Sequence, residues 1–226
     1  MKNIIFITGT DTGVGKTVIT GLLGKGLKNK GFKVLTQKWV ETGNTEKSYD
    51  LEYHAAAIGE NLDEKLAHLQ NPYLFSLPSS PHLAAKTDNE EIDIDRLTES
   101  SKQLSEQCDF LLIEGAGGLL VPLNTNMLTV DVVKKTEAKV IIVADNKLGV
   151  VNHTLLTVEA LKIRGIDILG IIFNRTGKDT ELPDFALKDN IEIIKTFSKE
   201  KVLGEIQDIN DNFVAVTDKI AEEFYE

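Results

Sequence analysis

GTDTGVGKT, at residues 9–17, separates an apolar stretch from an amphipathic one. The apolar stretch at residues 3–8 has the composition of a buried strand, and the stretch after the run has the apolar stripe of a helix. Glycines in such a turn let backbone amides surround an anion, and the helix N-terminus adds its dipole. A lysine and a hydroxyl at the end of the run can then reach terminal phosphates and magnesium. The run therefore predicts a site for a nucleoside triphosphate with Mg²⁺.

The spacing of this run departs from the usual phosphate-binding pattern. Counting back from Lys16, Thr10 occupies the position where the first glycine usually stands, and Gly9 lies one residue earlier. Glycines that only make a tight turn are the alternative, which the flanking strand and helix patterns disfavour. The residues predicted to contact the nucleotide here are Gly13, Val14, Gly15, Lys16, Thr17 and Val18.

Short apolar runs rich in valine and isoleucine recur along the chain and alternate with amphipathic stretches. This alternation indicates βαβ units around a parallel sheet buried on both faces. The sequence therefore predicts a three-layer α/β fold with a mostly parallel central sheet flanked by helices, in one domain of residues 1–226. The expected strands are residues 3–8, 33–37, 109–113, 139–144 and 166–173. The expected helices include residues 49–58, 94–106, 130–137 and 212–224.

Charge and cysteine content limit the partners of the chain. The 226 residues include 25 Lys and Arg against 35 Asp and Glu, for a net charge of -10. Because this charge repels phosphate backbones and anionic lipids, no nucleic acid or membrane partner is expected. Cys108 is the single cysteine, so no disulfide framework can form within the chain. With no apolar run suited to a signal peptide or a membrane span, we expect a cytoplasmic protein.

Four further segments accompany the phosphate-binding run in a fixed order. They are QKWVETG at residues 37–43, NPYLFSLPSSPHLAA at 71–85, IEGAGGLLVPL at 113–123 and KLGVVNHTLLT at 147–157. Together with the first run they resemble the dethiobiotin synthetase family, whose fold is of the P-loop NTPase type. The resemblance extends to about Asn174 and weakens towards the C-terminus.

The resemblance implies an ATP-dependent ligation in biotin biosynthesis. Its substrates would be 7,8-diaminononanoate and CO2, and its products dethiobiotin, ADP and phosphate. CO2 would add to one amine as a carbamate, whose oxygen takes the terminal phosphoryl group of ATP. The second amine would then close the ureido ring on the carbamic-phosphoric anhydride. Because negative charge accumulates, such an enzyme should supply cations and oriented donors.

The resemblance also implies which residues carry the reaction. Lys38, in the QKWVETG segment, corresponds to the catalytic lysine and should act beside Lys16. Thr12 should donate to the carbamate. Thr42 stands where relatives often have serine, so the hydroxyl that contacts substrate is retained.

Gly149 and Asn152 are expected at a helix start, where backbone amides can meet the carboxylate of the diamino acid. In the family a second subunit completes this end of the site, so a homodimer is implied. Asn152 acting only as a helix cap is the alternative.

Magnesium should be held by Thr17, Asp50 and Glu114, since it takes a few protein oxygens together with phosphate oxygens and water. Glu114 is expected where the apolar strand at residues 109–113 ends, at the carboxyl edge of the sheet. Asp50 could instead cap the helix that follows, as could Ser48.

The nucleotide should contact two further regions. In the EGAGG segment these contacts are Gly115, Ala116 and Gly117, where glycines let the backbone approach a ligand. In relatives an asparagine in the place of Asn174 reads adenine, although here Arg175 follows where an aspartate can occur. The residues implied to border the base are Gln207, Asp208 and Ile209.

Two rival functions share this fold. Partitioning ATPases often carry a second lysine where this chain has Asp11, and their switch function should not require a diamine. Glutamine-dependent amidoligases use a nucleophilic cysteine in a glutaminase domain. Cys108 does not have the surroundings that such a nucleophile needs. Both rivals are therefore less favoured than the ligase.

Overall fold

The computed structural model describes residues 3–175, 182–208 and 213–225. Its strands are β1 (Ile4–Gly9), β2 (Val34–Lys38), β3 (Val40–Thr42), β4 (Tyr73–Phe75), β5 (Phe110–Gly118), β6 (Lys139–Asp145), β7 (Ile168–Asn174) and β8 (Val202–Ile206). Its helices are α1 (Lys16–Asn29), α2 (Tyr49–Ile58), α3 (Ala67–Gln70), α4 (Pro81–Thr87), α5 (Ile94–Ser105), α6 (Thr129–Thr136), α7 (Val150–Ile163), α8 (Asp184–Ser198) and α9 (Val214–Tyr225).

The main sheet has the strand order β2-β5-β1-β6-β7-β8, and every neighbouring pair is parallel. The first strand, β1, lies in the middle of this sheet, and later strands lie on both sides of it. In open parallel sheets, ligands bind in the crevice beyond the carboxyl ends of the strands, at the point where the strand order reverses. The loop after β1 lies at this point.

Apolar residues cover both faces of this sheet. Phe6, Leu111 and Phe173 belong to the cluster on one face, whereas Ile5 and Phe110 belong to the cluster on the other. Burying each such side chain contributes about 1.5–3 kcal/mol. The predicted parallel α/β architecture is thus confirmed, with helices packed on both faces.

A second, two-stranded parallel sheet pairs β3 with β4. Its register places Val40 opposite Tyr73 and Thr42 opposite Phe75. The amide of Gly43 donates to the carbonyl of Phe75 at 2.8 Å, which extends the contact past the strand ends. These strands were not predicted, because three-residue strands are too short to show a period.

Two predicted boundaries are wrong in an informative way, and a third stays a prediction. β5 continues from Phe110 to Gly118, so Glu114 lies within a strand and not at its end. The strand expected from residue 166 begins at Ile168. The C-terminal helix is described from Val214, and the expected start at residue 212 lies outside the described residues. None of the helices in the described part of the chain is both long enough and apolar enough to span a bilayer.

Candidate functional site

The loop after β1 takes a shape that requires glycine. Gly13 and Gly15 have φ angles of 71° and 100°, in the left-handed region that other residues rarely adopt. Gly15 caps α1 without a side-chain hydrogen bond, and α1 begins at Lys16. The first turn of this helix therefore presents its amide groups at the loop, as a phosphate site needs.

Lys38 is the centre of a buried ion cluster. β2 ends at Lys38, and the register of β2 with β5 places it opposite Glu114. The Lys38 Nζ atom lies 2.8 Å from Glu114 Oε1 and 2.5 Å from Asp50 Oδ2. The side chains of Lys38 and Glu114 are 7% and 2% exposed, so this ion pair is shielded from solvent.

Thr17 joins the same cluster from the first turn of α1. Its Oγ1 atom lies 2.9 Å from Asp50 Oδ1 and 3.1 Å from Glu114 Oε1. A hydroxyl and two carboxylates are hard oxygen ligands that suit Mg²⁺, which takes its other ligands from phosphates and water. Across residues 3–175, 182–208 and 213–225, no group of three or more His, Cys, Asp or Glu could hold a metal ion. The residues present fit a magnesium ion shared with a nucleotide better than an all-protein metal cage.

The charges of the cluster shift the pKa values of its members. Burial lowers the pKa of Lys38, but attraction to Glu114 and Asp50 outweighs burial and holds this pKa above its usual range. Burial raises the pKa of Glu114, whereas Lys38 and His54 hold it well below its usual range. Burial lowers the pKa of Lys16 to about 8, helped by repulsion from Lys38. Lys38, Glu114 and Lys16 therefore stay ionised at neutral pH.

Helix α2 positions Asp50, and Ser48 supplies the cap. Ser48 Oγ accepts a hydrogen bond from the amide of Leu51. The buried Glu41 carboxylate accepts from the amide of Tyr49 at 2.9 Å and also from the Ser48 hydroxyl. Asp50 is therefore not needed as a cap, and its carboxylate is directed at Thr17 and Lys38.

A tryptophan network supports β2 next to Lys38. Trp39 Nε1 lies 2.9 Å from Ser101 Oγ and 3.2 Å from Gln37 Oε1, and its ring packs on Phe6 at 4.8 Å. Gln37 also donates to the carbonyl of Leu69 at 2.8 Å. These buried hydrogen bonds fix the backbone on both sides of Lys38.

His54 is a member of the cluster that sequence reasoning missed. Its Nε2 atom lies 2.9 Å from Glu114 Oε2, and the side chain is fully buried. The signal that could have found it is its spacing of four residues from Asp50, which puts both side chains on one face of α2.

Comparisons with known proteins connect this geometry to a family. A family model described as "AAA domain" matches residues 3–212. A protein named ATP-dependent dethiobiotin synthetase BioD, from Methanococcus vannielii, is 37% identical over 212 residues, which cover 93% of this chain and 96% of the relative. The chain belongs to the dethiobiotin synthetase family. ATP-dependent dethiobiotin synthetase BioD 2 from Haemophilus influenzae is 42% identical over 77% of this chain and 92% of its own.

Solved structures agree on the fold of this dethiobiotin synthetase family member. The cell division ATPase MinD from Pyrococcus furiosus aligns with a TM-score of 0.58 and 19% identity, covering 99% of this chain and all of the other. A ParA family ATPase from Chlorobium tepidum aligns with a TM-score of 0.56 and 16% identity, covering 99% and 91%. At these identities the likeness shows the P-loop ATPase fold alone.

A groove beside the phosphate-binding loop is lined by Thr12, one of the residues that the family resemblance assigns to substrate binding. It has a volume of about 380 Å³, and its lining includes Thr12, Gly118, Val121, His153 and Leu156. The groove lies between the phosphate-binding loop, the end of β5 and α7.

The other predicted substrate residues are not among the residues that line this groove. Gly149 caps α7 with a φ of 92°, and the exposed Asn152 follows in the first turn, so the predicted helix start is confirmed. Gly149, and not Asn152, is the cap residue. Thr42 ends β3 and is partly exposed.

The residues expected near the base meet at the ends of β7 and β8. Asn174 Nδ2 donates to the carbonyl of Val14 at 2.8 Å, so the tip of β7 contacts the phosphate-binding loop. The amide of Arg175 donates to the carbonyl of Ile206 at 2.7 Å. Gln207 and Asp208 follow and are exposed, whereas Ile209 lies outside the described residues.

The EGAGG segment passes directly by the loop as part of β5. A Cβ at Gly115 would lie 2.7 Å from the ring of Phe6, so the backbone can pack this closely only with glycine there. Gly117 has a φ of 64°, and a Cβ there would lie 3.6 Å from Thr12 Oγ1. Ala116, between them, is partly exposed.

Proposed function

We propose that this chain closes the ureido ring of dethiobiotin from 7,8-diaminononanoate, CO2 and ATP, in biotin biosynthesis. The convergence of Lys38, Thr17, Asp50 and Glu114 beside the phosphate-binding loop carries the proposal. The names of the relatives support the reaction class, since they are called ATP-dependent dethiobiotin synthetases. The likeness to MinD and ParA proteins does not favour a switch function, because it reaches only the fold.

In the proposed reaction, an amine nitrogen of the diamine bonds to the carbon of CO2 and loses a proton, which gives a carbamate. A carbamate oxygen attacks the terminal phosphorus of ATP, and ADP leaves with the electron pair of the broken bond. The second amine attacks the carbonyl carbon of the resulting carbamic-phosphoric anhydride. Phosphate leaves, a further proton is lost and the ring closes. Each step develops negative charge on oxygen, which cations and oriented donors stabilise.

Lys38 and Lys16 are the cations suited to this task, and Thr12 is a donor for the carbamate. Lys38 is held at the tip of β2 by the Trp39 network and by two carboxylates, so little reorganisation is needed when substrate arrives. In this proposal Thr17, Asp50 and Glu114 hold Mg²⁺, which when bound neutralises phosphate charge and orients the terminal phosphoryl group.

The diamine is assigned to the groove next to Thr12, with Thr42 as a further hydroxyl contact. Gly149 and Asn152, at the start of α7, are assigned to its carboxylate, because amides at a helix N-terminus favour an anion. A homodimer that completes this end of the site and a cytoplasmic location are part of the same proposal. Adenine is assigned to the edge formed by Asn174, Arg175 and residues 207–209.

The test is product formation by purified protein. With the diamine, bicarbonate and MgATP, mass spectrometry should detect dethiobiotin, together with one ADP for each product molecule. Without the diamine, ADP release should fall to the background rate. A steady ATPase rate that is indifferent to the diamine, with no dethiobiotin formed, would refute the proposal and favour the switch ATPase.

A further inference from the structure

His54 belongs to the cluster but has no part in the reaction described so far. It lies four residues after Asp50 in α2, so both side chains project from one face of the helix towards the tip of β5. Asp50 contacts Thr17 and Lys38, and His54 contacts Glu114. One helix face therefore supplies a member of the cluster and a partner for another member.

The two oxygens of Glu114 have different partners. Oε1 lies 2.8 Å from Lys38 Nζ and 3.1 Å from Thr17 Oγ1, on the side of the phosphate-binding loop. Oε2 lies 2.9 Å from His54 Nε2. Because Glu114 is buried, water cannot readily replace a lost partner at Oε2. Without His54 the carboxylate would turn about its terminal bond to find another donor.

The histidine ring is oriented for this one contact. Its Nδ1 atom is buried and has no hydrogen-bond partner in the described part of the chain. A ring with a proton on Nε2 donates that proton to Glu114 Oε2. The other tautomer would direct a lone pair at the carboxylate, so the hydrogen-bond network assigns the proton to Nε2.

We infer that His54 is a positioning residue that fixes the rotation of the Glu114 carboxylate, so that Oε1 faces Lys38 and Thr17 and would be available to a bound magnesium ion. The inference rests on the proposed function for its choice of metal, but not on ring closure. Partners of this kind behind a metal-ligating side chain typically change metal affinity about 10–100-fold when removed. A histidine that only fills space would change stability and leave metal affinity unaltered.

The experiment compares His54→Gln, which keeps an N–H donor, with His54→Leu, which removes the donor at similar volume. Mn²⁺ binding to the protein with ADP, followed by electron paramagnetic resonance, is the main readout. His54→Leu is expected to weaken Mn²⁺ binding about tenfold, and His54→Gln to stay within about threefold of the native protein. If His54→Leu does not fold, His54→Met makes the same comparison.

Thr136→Val is the matched control for loss of a buried polar group. Thr136 is fully buried in α6, and its hydroxyl donates within its own helix to the carbonyl of Val133 at 2.8 Å. This variant should lower the melting temperature and leave Mn²⁺ binding unchanged.

Two outcomes would overturn the inference. In the first, His54→Leu lowers the melting temperature, as the control does, but binds Mn²⁺ like the native protein. In the second, His54→Gln binds Mn²⁺ as weakly as His54→Leu. Failure of the proposed function looks different, because the Mn²⁺ titration needs no diamine. A protein that makes no dethiobiotin but shows the expected Mn²⁺ pattern would refute ring closure and support the role of His54.

Discussion

Replacing Lys38 with methionine would remove the ammonium group and keep most of the side-chain volume. Lys38 lies between Glu114 and Asp50, so the change leaves two carboxylates without their counter-ion. Breaking a buried ion pair by removing one partner costs about 3–5 kcal/mol. Asp50 is 26% exposed, and Glu114 keeps Thr17 and His54 as hydrogen-bond partners. We therefore expect a loss of stability near the lower end of that range.

Such a loss should be visible as a melting temperature lower by roughly 6–12 °C, since 1 kcal/mol corresponds to about 2–4 °C for a domain of this size. Turnover should fall about 10²–10³-fold, the usual effect of removing one donor at a developing charge. Nucleotide affinity should change little, because Lys16 and the glycine loop remain. Calorimetry with ADP and initial rates of dethiobiotin formation measure the two effects separately.

The pH dependence gives an independent check on the same variant. In the native protein the pKa of Glu114 is depressed, so its contribution to stability is present above about pH 4.5 and is lost as pH falls below that value. Without Lys38, burial should raise this pKa above 4.5, and protonation should then stabilise the variant as pH falls from 7. The difference in melting temperature between native protein and Lys38→Met should therefore be largest at pH 7 and smaller at pH 5.

The double variant Lys38→Met/Glu114→Gln is the control, because it removes one charge of each sign. It should recover part of the melting temperature but none of the turnover. Turnover of Lys38→Met within threefold of native, or a melting difference that does not change between pH 7 and pH 5, would refute the role assigned to this ion cluster.

Three other predictions concern the loop and the cysteine. Gly15→Ala should abolish measurable nucleotide binding, because the new Cβ would lie 2.0 Å from Asn174 Nδ2. The Cβ of Gly13→Ala would meet nothing within 4 Å, so this variant should lose only the roughly 1–2 kcal/mol of stability that left-handed strain costs. Calorimetry and thermal melting compare the two variants. ATP affinity should fall by up to about tenfold per pH unit above pH 8, because the pKa of Lys16 is about 8 and binding of the triphosphate needs the Lys16 ammonium group. ATP titrations from pH 7 to 9 test this, and a constant affinity would contradict it. Burial raises the pKa of the Cys108 thiol to about 12, so iodoacetamide at pH 8 should alkylate it at least roughly 100-fold more slowly in the native protein than in urea.

The sequence was sufficient for those parts of the fold that depend on a repeated local pattern. The five predicted strands of the main sheet are confirmed within two residues at their starts, because most of their residues are apolar and buried in the sheet. β8 was missed, since VLGEI contains a glycine and an acid and lies at the sheet edge. The continuation of β5 into EGAGG was also missed, because Gly115 there packs against Phe6 within the strand instead of forming a turn.

The site could be anticipated only where a motif or a strand end marked it. Lys38 and Glu114 are adjacent because β2 and β5 are neighbours in register, a pairing that the sequence does not state but that parallel strand ends favour. Glu41 could not be anticipated, because its role depends on how α2 packs across the strand ends. His54 carried one local signal, its spacing of four residues from Asp50 in α2, but nothing in the sequence indicates its contact with Glu114.

Trp39 gives the molecule an intrinsic optical probe. It is the single tryptophan of the sequence, it is 1% exposed, and it directly follows Lys38. Its indole emission therefore reports on one place, next to the residue on which turnover should depend most. Substrate or metal that moves the tip of β2 can be followed by the fluorescence of the unlabelled protein, in real time and without altering a side chain.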